Sequence, residues 1–433
     1  MDQDNVIVVD KNLALLRSLV IYGANASGKS NLLTALDFMR RFVGDSAREA
    51  QAEDPIPVEP FCLHPDTVHQ PSVFETVFLL DGIQYRYGFS VTSERVVAEW
   101  LYYVPTRQEI ELFTRDEKGI YVRPRFEDGH GLEKRTRKNA LFLSVVAQFN
   151  GEQANHIRDW FITQCRSLTT IQDYSYFSYT VDCIAKERFD RGIEEFVRRL
   201  DLDISALSVI EAPIPRRDSA PPDPKMPGFE EDSTVPTPPS QGRRPQRHVQ
   251  ELRTHHAIRD DQGMVVGEEH FSARTMESEG SQKIIALAGP LLDVLTNGWT
   301  LFIDEIDARL HPLITVAILR LFNSQETNPK NAQLICATHD TNLLDHRRLR
   351  RDQIYFVEKD KTAATRLYSL AEFKLESSEG ALRSIRNDTS LERNYIQGRF
   401  GAIPYIGDIN QFFAEEVQRQ VSGPDGVAAE QPI

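Results

Sequence analysis

The spacing of apolar residues changes along the chain, and each spacing predicts a helix or a strand. Residues 19–22 form an apolar run typical of a buried strand, and residues 31–39 carry apolar side chains at helical spacing. A glycine-bounded segment lies between them. The first forty residues therefore predict a strand, a glycine turn and a helix, in that order.

A second pattern alternates at every other residue. Residues 73–80 and 84–91 alternate around Asp81-Gly82, a dipeptide that suits a type I′ turn, so they predict a hairpin. Residues 96–104 and 109–114 predict two more strands. Together these segments indicate an antiparallel sheet.

From about residue 139 to residue 207 the period becomes helical, with apolar residues at i, i+4, i+7, i+8 and i+11 in one stretch. The members of this stripe are Phe189, Ile193, Phe196, Val197 and Leu200. The region predicts a helical insertion between two halves of a core.

Residues 213–247 hold ten of the 23 prolines and few aliphatic residues, which favours a flexible linker.

Beyond the linker, strands and helices alternate again. The predicted elements are a strand at 263–271, a helix at 284–295 opened by Ser278 as N-cap, a strand at 299–303, a helix from 311, strands at 332–337 and 353–358, and a helix at 408–420. We expect an α/β protein with a mixed core sheet, an antiparallel β lobe and an inserted helical subdomain. The predicted segments are 1–115 (first half of the core), 116–212 (helical insertion), 213–247 (linker), 248–405 (second half of the core) and 406–433 (helix and tail).

Bulk properties narrow the class of protein. A chain of 433 residues exceeds what one compact core holds, and its mean hydropathy is -0.40. No apolar run is long enough to span a bilayer and no leader pattern is recognisable, so we expect a cytoplasmic protein without membrane contact.

The four scattered cysteines favour free thiols. A net charge of -14 argues against a wholly nucleic-acid-binding surface, although the basic runs at 134–138 and 347–351 suit either a solvated loop or a phosphate contact.

Residues 23–30 read Gly-Ala-Asn-Ala-Ser-Gly-Lys-Ser, which has the spacing of a phosphate-binding P-loop. Backbone N–H groups must wrap a triphosphate, and the two glycines let the main chain curl without a Cβ clash. Lys29 would reach the β- and γ-phosphates, and the Ser30 hydroxyl would bind Mg²⁺. The alternative is a glycine turn that happens to precede a helix. The predicted nucleotide contacts here are Gly23, Asn25, Ser27, Gly28, Lys29, Ser30 and Asn31.

Two later strands end in polar residues. The strand before residue 304 ends in Asp304-Glu305, so Asp304 would bind Mg²⁺ through water and Glu305 would polarise the attacking water. The alternative is a strand that runs out into a polar turn. His339 follows the next strand and would sense the γ-phosphate, although a histidine at a strand end is commonly structural.

Taken in order, several segments resemble the ATPase heads of ABC proteins, Rad50/SMC proteins and overcoming-lysogenization-defect nucleases. The resemblance is closer to the bacterial AAA15/AAA_21-type ATP-binding proteins of anti-phage or restriction loci. It rests on residues 21–31, 277–280, 302–307, 310–312, 338–341, 351–354 and 395–404.

The resemblance implies a head-to-head dimer with two Mg²⁺-bound ATP molecules between the subunits. Ser278 and Gly280 of one subunit would cap the γ-phosphate held by the other, and Asp307 would lie on the dimer seam. It also implies a magnesium acid (Asp304), a catalytic base (Glu305) and a switch histidine (His339).

Two departures from the family pattern accompany the resemblance, and the glutamine of the usual Q-loop is unassigned. The usual strand pair upstream of the P-loop is not recognisable, so we expect either a late-annotated start or an incomplete first sheet. Glu279-Gly280 replaces a double glycine. Gln70 is a candidate for this glutamine.

The leading hypothesis is an ATPase whose ATP-dependent dimerisation gates an effector encoded by a neighbouring gene, or acts on DNA, in bacterial defence. A slow ATP switch that sequesters a nuclease or toxin is the alternative. A transporter ATPase subunit is disfavoured by the helical insertion, and an intrinsic nuclease by the lack of a suitable acidic or His-Asn-His cluster after the core.

Overall fold

The computed structural model describes residues 4–48, 51, 53–168, 173–189, 191–200, 203–213, 248–376, 382–384 and 390–422. Apart from residue 213, the predicted linker lies outside the described residues. The chain forms two compact units, one of residues 1–167, 302–306 and 333–433 and the other of residues 168–301 and 307–332. Residues 116–167 lie in the first unit, and the predicted domain bounds stay a prediction. None of the described helices combines the length and apolar character needed to cross a membrane.

The described strands follow the predicted periodicity closely in the first half of the chain. They are β1 Val6–Val8, β2 Ala14–Leu16, β3 Ser18–Gly23, β4 Ser72–Leu80, β5 Ile83–Val91, β6 Val96–Val104, β7 Ile110–Asp116, β8 Gly119–Val122, β9 Cys165–Leu168, β10 Ala206–Pro213, β11 His248–Arg259, β12 Val265–Ser272, β13 Thr300–Ile303, β14 Gln333–Ala337, β15 Ile354–Lys359, β16 Thr365–Ser369, β17 Lys374–Glu376 and β18 Leu382–Ser384.

The described α-helices lie in the predicted helical regions, except for a short helix at 391–396 that the pattern did not predict; the region 139–207, predicted as helical, also contains the strand β9. They are α1 Lys29–Asp45, α2 Phe142–Gln148, α3 Glu152–Asp159, α4 Asp173–Ala185, α5 Gly192–Arg199, α6 Glu279–Asn297, α7 Pro312–Asn323, α8 Leu391–Ile396 and α9 Ile409–Ser422. A π-helical turn, Trp160–Gln164, follows α3.

The core sheet of the first unit has the order β16-β15-β3-β14-β13-β9. β3 pairs in parallel with β14 and β15, whereas β15 and β16 are antiparallel, so the sheet is mixed as predicted. The apolar run of β3 explains its central place, because Val20, Ile21 and Tyr22 are fully buried. Leu33 of α1 packs on Ile21. The fold class predicted from the sequence is confirmed.

The antiparallel sheet of the first unit has the order β4-β5-β6-β7-β8. Asp81 and Gly82 join β4 to β5 with φ of 51° and 76°, the left-handed values that a type I′ turn requires, and this confirms the predicted hairpin. Its buried side chains form one cluster with Met39, Phe42 and Val43 of α1. This packing fixes the helix that follows the glycine turn.

In the second unit, α4 packs along α6 at a proline. Pro290 has no N–H, so the carbonyl of Ala286 loses its helical donor. The Thr180 hydroxyl donates to that oxygen at 3.1 Å and accepts from Gly289 N at 3.2 Å. A side chain at position 289 would place Cβ 2.7 Å from this hydroxyl, which explains the glycine.

One helical prediction was too long. Ile193 and Val197 are buried on α5 as the stripe predicted, but Phe189 precedes the helix with φ of 76° and Leu200 follows its last residue. A left-handed residue cannot continue a right-handed helix, so the stripe covers two turns only. Upstream of the P-loop, where no strand pair was recognisable in the sequence, β1 and β2 form an antiparallel hairpin.

Candidate nucleotide-binding site

The glycine turn lies between the end of β3 and the start of α1. Ala26 and Gly28 have left-handed φ values of 60° and 108°, and Gly28 is the N-cap of α1. A Cβ at Gly23 would lie 2.5 Å from the Val357 carbonyl oxygen, so backbone crowding permits glycine alone there. The sequence folds locally as a P-loop because Gly23 and Gly28 have no side chain.

Lys29 folds back into the turn that precedes it. Its side chain is buried, and Nζ donates to the carbonyls of Gly23 at 2.8 Å and Ala24 at 3.1 Å. An ammonium enclosed by a turn of backbone amides gives a concentrated positive charge at the N-terminus of α1. This arrangement suits a phosphate chain.

The other predicted contacts in this segment differ in exposure. Ser27 is buried, and its Oγ has no hydrogen-bond partner within the described part of the chain. Asn25, Ser30 and Asn31 are exposed. The segment therefore presents polar side chains outward around an enclosed lysine.

Two hydrogen bonds link the acidic strand end to the P-loop strand. Ile306 N donates to the Ala337 carbonyl at 3.1 Å, and Thr338 N donates to the Ile21 carbonyl at 3.1 Å. Since β13 neighbours β14 and β14 neighbours β3, these bonds join consecutive strand ends. The structure therefore brings Asp304, Glu305 and His339 to the carboxyl ends of the core strands. This is the edge of the sheet at which the glycine turn begins.

Asp304 is buried, and its two oxygens have different surroundings. Oδ1 accepts from Glu305 N at 3.1 Å, while Oδ2 has no hydrogen-bond partner among the described residues. A buried carboxylate oxygen without a donor is costly unless a ligand completes it. Its hard, anionic character fits Mg²⁺, either directly or through water.

Glu305 and His339 are both exposed at this edge. Glu305 has φ of 47°, an uncommon value for a residue with a side chain and one often found at functional sites. Both side chains are accessible to a ligand, as a base and a phosphate sensor must be.

Sequence reasoning missed two residues that support the site. The Thr365 hydroxyl of β16 donates to the Ser27 carbonyl at 3.0 Å. A Cβ at position 28 would lie only 2.2 Å from the same hydroxyl oxygen. The Tyr22 hydroxyl donates to the Asp340 carbonyl at 3.0 Å, which fixes the segment after β14. Tyr22 lies in a predicted strand, but no local pattern marked Thr365.

Ser278 and Gly280 lie in the second unit, at the N-terminus of α6. The Ser278 side chain accepts from Ser281 N, which confirms the predicted N-cap. Glu277 precedes it and accepts from the Thr254 hydroxyl at 2.6 Å, and it lies 2.7 Å from His256 Nε2. These two β11 side chains hold the start of the segment in place, a role that the sequence did not reveal.

Gln70 lies exposed in the loop before β4, where its backbone N–H donates to the Thr67 carbonyl. Its assignment to the Q-loop stays a prediction.

A family model described as "AAA domain, putative AbiEii toxin, Type IV TA system" (AAA_21) matches residues 18–345. The chain belongs to the AAA_21 family. The match begins at the first residue of β3 and includes the P-loop, Asp304, Glu305 and His339. The predicted family is thereby confirmed.

Solved structures of SMC heads are similar to this AAA_21 chain at low identity. The "Crystal structure of the SmcHead bound to the C-winged helix domain of ScpA" has 14% identity and a TM-score of 0.37, with 82% of this chain and 92% of that chain covered. The "SMC head domain from Thermotoga maritima" has 14% identity and a TM-score of 0.34, with the same coverage. No curated protein matches the chain.

Proposed function

We propose that this AAA_21 protein binds Mg²⁺-bound ATP at the edge of the core sheet and hydrolyses it to ADP and phosphate. Residues 23–31 would wrap the phosphates, with Lys29 on the β- and γ-phosphates. Ser30 and Asp304 would hold Mg²⁺, which supplies charge stabilisation to the transferred group. The observation that carries this proposal is the convergence of the β3, β13 and β14 ends.

Glu305 is the proposed general base. It follows the magnesium acid directly, is exposed to solvent, and has a backbone conformation that departs from the strand. A carboxylate in this position accepts a proton from the attacking water. His339 donates a hydrogen bond to the γ-phosphate in the same proposal.

We further propose that ATP closes a dimer of two copies of this chain. Ser278 is exposed at the N-terminus of the 19-residue helix α6, where the helix dipole favours an anion. The γ-phosphate bound by one copy would meet this end of the other copy. Closure is favoured because the γ-phosphate supplies contacts present in one of the two arrangements only.

The biological setting we propose is bacterial anti-phage defence in the cytoplasm. Dimer closure would gate an effector protein encoded by a neighbouring gene or act on DNA. The family description, which names a toxin of a toxin–antitoxin system, supports a setting of this kind.

The experiment compares ATP turnover of the wild-type protein, Glu305→Gln and the control Glu326→Gln, which removes an exposed carboxylate elsewhere. We expect Glu305→Gln to lose at least ~10²-fold in turnover, the usual scale for a lost base or positioned charge. It should still bind ATP and become dimeric in ATP by size measurement.

An unchanged rate in Glu305→Gln would remove Glu305 from the mechanism. A monomer at all ATP concentrations would remove dimer closure but not nucleotide binding. Very slow wild-type turnover with a stable complex between the protein and its genetic neighbour's product would instead favour an ATP-dependent scaffold.

A further inference from the structure

The sheet formed by β10, β11 and β12 carries a cluster of two imidazoles and a carboxylate. His255 of β11 lies directly opposite His270 of β12, with ring centroids 3.9 Å apart. Glu268 lies two residues before His270, so both side chains project from one face of the strand. None of these residues belongs to the proposed ATP site.

The three candidate ligand atoms lie within 4.8 Å of one another, and the two histidine–carboxylate distances match the spacing of metal ligands. His255 Nδ1 lies 3.4 Å from Glu268 Oε2, and His270 Nε2 lies 3.3 Å from the same oxygen. Tetrahedral Zn²⁺ with bonds of about 2.0 to 2.1 Å separates its ligand atoms by about 3.3 Å. A charge-assisted hydrogen bond is shorter, about 2.7 to 2.9 Å.

The neighbouring histidine shows the contrast on the same strand. His256 Nε2 lies 2.7 Å from Glu277 Oε1, the distance of a direct hydrogen bond. It projects from the opposite face of β11 because successive side chains alternate. The two histidine–carboxylate distances of the cluster are therefore longer than the direct hydrogen-bond distance of the neighbouring His256.

Two serines orient the cluster from outside. The Ser208 hydroxyl of β10 lies 2.8 Å from His255 Nε2, and the Ser205 hydroxyl donates to Glu268 Oε1 at 3.1 Å. When Nε2–H donates to Ser208, the lone pair of His255 is on Nδ1, which faces Glu268. Metal-binding histidines commonly have such an outer partner that fixes the ring and its tautomer.

We propose that His255, Glu268 and His270 form a binding site for a divalent transition metal, with Zn²⁺ as the ion that fits best. Two imidazoles and one carboxylate are a ligand set that zinc accepts, and water completes the tetrahedron. The ion has access, since the Glu268 and His270 side chains are 48% and 50% exposed. The ion would clasp β11 to β12.

The test uses the full chain without a polyhistidine tag, treated with a chelator and then titrated with Zn²⁺ alone. We expect one Zn²⁺ per chain and a rise in the thermal midpoint on binding. Co²⁺ at the same site should give the visible absorption bands of tetrahedral cobalt. His255→Ala and His270→Ala should each weaken Zn²⁺ binding at least ~10-fold and abolish the cobalt bands.

Two further variants separate ligand loss from misfolding. Ser208→Ala keeps all three ligands and should weaken Zn²⁺ binding about 10- to 100-fold, the usual effect of removing an outer partner. Glu268→Gln preserves the side-chain shape and should also weaken it. The control His130→Ala, an exposed histidine of the other unit, should bind Zn²⁺ as the wild-type protein does.

The proposal is overturned if the wild-type protein binds no stoichiometric Zn²⁺, or if Glu268→Gln and the two histidine variants bind it as tightly as the wild-type protein. The cluster would then be an ordinary pair of cross-strand histidines. ATP turnover is not part of this readout, so the outcome is independent of the proposed ATPase activity.

Discussion

Asp304 and Glu99 are both buried carboxylates of the first unit, with 6% and 0% of their surface exposed. The oxygens of Glu99 accept from Phe142 N at 2.6 Å, from Leu143 N at 3.0 Å and from the Tyr87 hydroxyl at 3.0 Å. Asp304 receives one backbone N–H on Oδ1, while its Oδ2 has no partner in the described ranges.

This difference separates a structural carboxylate from one prepared for a ligand. The N-cap residue of α2 is Leu141, which has no polar side chain, so Glu99 of β6 takes the place of a cap and binds the first amides of that helix. The fold satisfies Glu99 completely. It leaves one oxygen of Asp304 without a donor at the sheet edge where we propose Mg²⁺. The lost stability is better explained by a functional role of this oxygen than by a structural one.

In this comparison, the largest effect on ATP turnover should come from Asp304→Asn. Loss of the magnesium acid should lower ATP turnover at least ~10²-fold, since metal-ion charge stabilisation is worth several kcal/mol. The unfolding free energy should change by less than ~1 kcal/mol, because the charge removed has an oxygen without a donor. Turnover assays and chemical unfolding measure the two quantities.

Asp66→Asn is the matched control for this experiment, because that side chain is 79% exposed. It should leave both quantities unchanged. A strong loss of stability in Asp304→Asn with normal turnover would make Asp304 structural, and the contrast with Glu99 would disappear.

Glu99→Ala should show the opposite behaviour. It leaves two buried amides and a buried hydroxyl without their acceptor, and it removes the carboxylate that lies 3.9 Å from the Arg115 guanidinium. We expect the unfolding free energy to fall by about 3 to 5 kcal/mol, the scale for breaking a buried charged network. ATP binding by the folded variant should remain.

Glu117→Ala serves as the control, since Glu117 is 72% exposed and pairs only at the surface with Arg95. Its effect should stay below ~1 kcal/mol. If the two variants were equally stable, Glu99 would not be the cap of α2.

The local part of this comparison could be read from the sequence. The P-loop, the Asp81-Gly82 hairpin and the strand before Asp304 depend on short stretches whose turn chemistry and period act within about ten residues. The backbone of β6 was also predicted, with the observed bounds Val96–Val104. The role of Glu99 was not, because its partners lie 43 and 44 residues further along the chain.

Other unpredicted features have the same origin. Thr365 reaches the P-loop across 338 residues. β11 pairs with β10 across a segment without usable periodicity, so that pairing, and with it the contact of Ser208 with His255, had no local signal. Tertiary contacts place these side chains, and composition does not encode such contacts.

The smallest expected effect is the pH dependence of the stability that Glu99 contributes. Burial raises the pKa of this carboxyl above its ordinary value of 4.5 and outweighs the attraction of Arg115, whose own pKa burial lowers. At a pH between the ordinary and the raised pKa, the folded chain keeps a proton that the unfolded chain has lost. Stability contributed by Glu99 should therefore fall as pH rises above that ordinary value.

Glu99→Gln isolates this effect, because glutamine does not titrate. The unfolding free energy of the wild-type protein minus that of Glu99→Gln should decrease as pH rises above 4.5, the ordinary value of this carboxyl. Tyr87, the other titratable neighbour, has a pKa raised by burial and stays protonated over this range. A difference that grows with pH would mean that the fold favours the anion, and burial would then weigh less at Glu99 than its donors do.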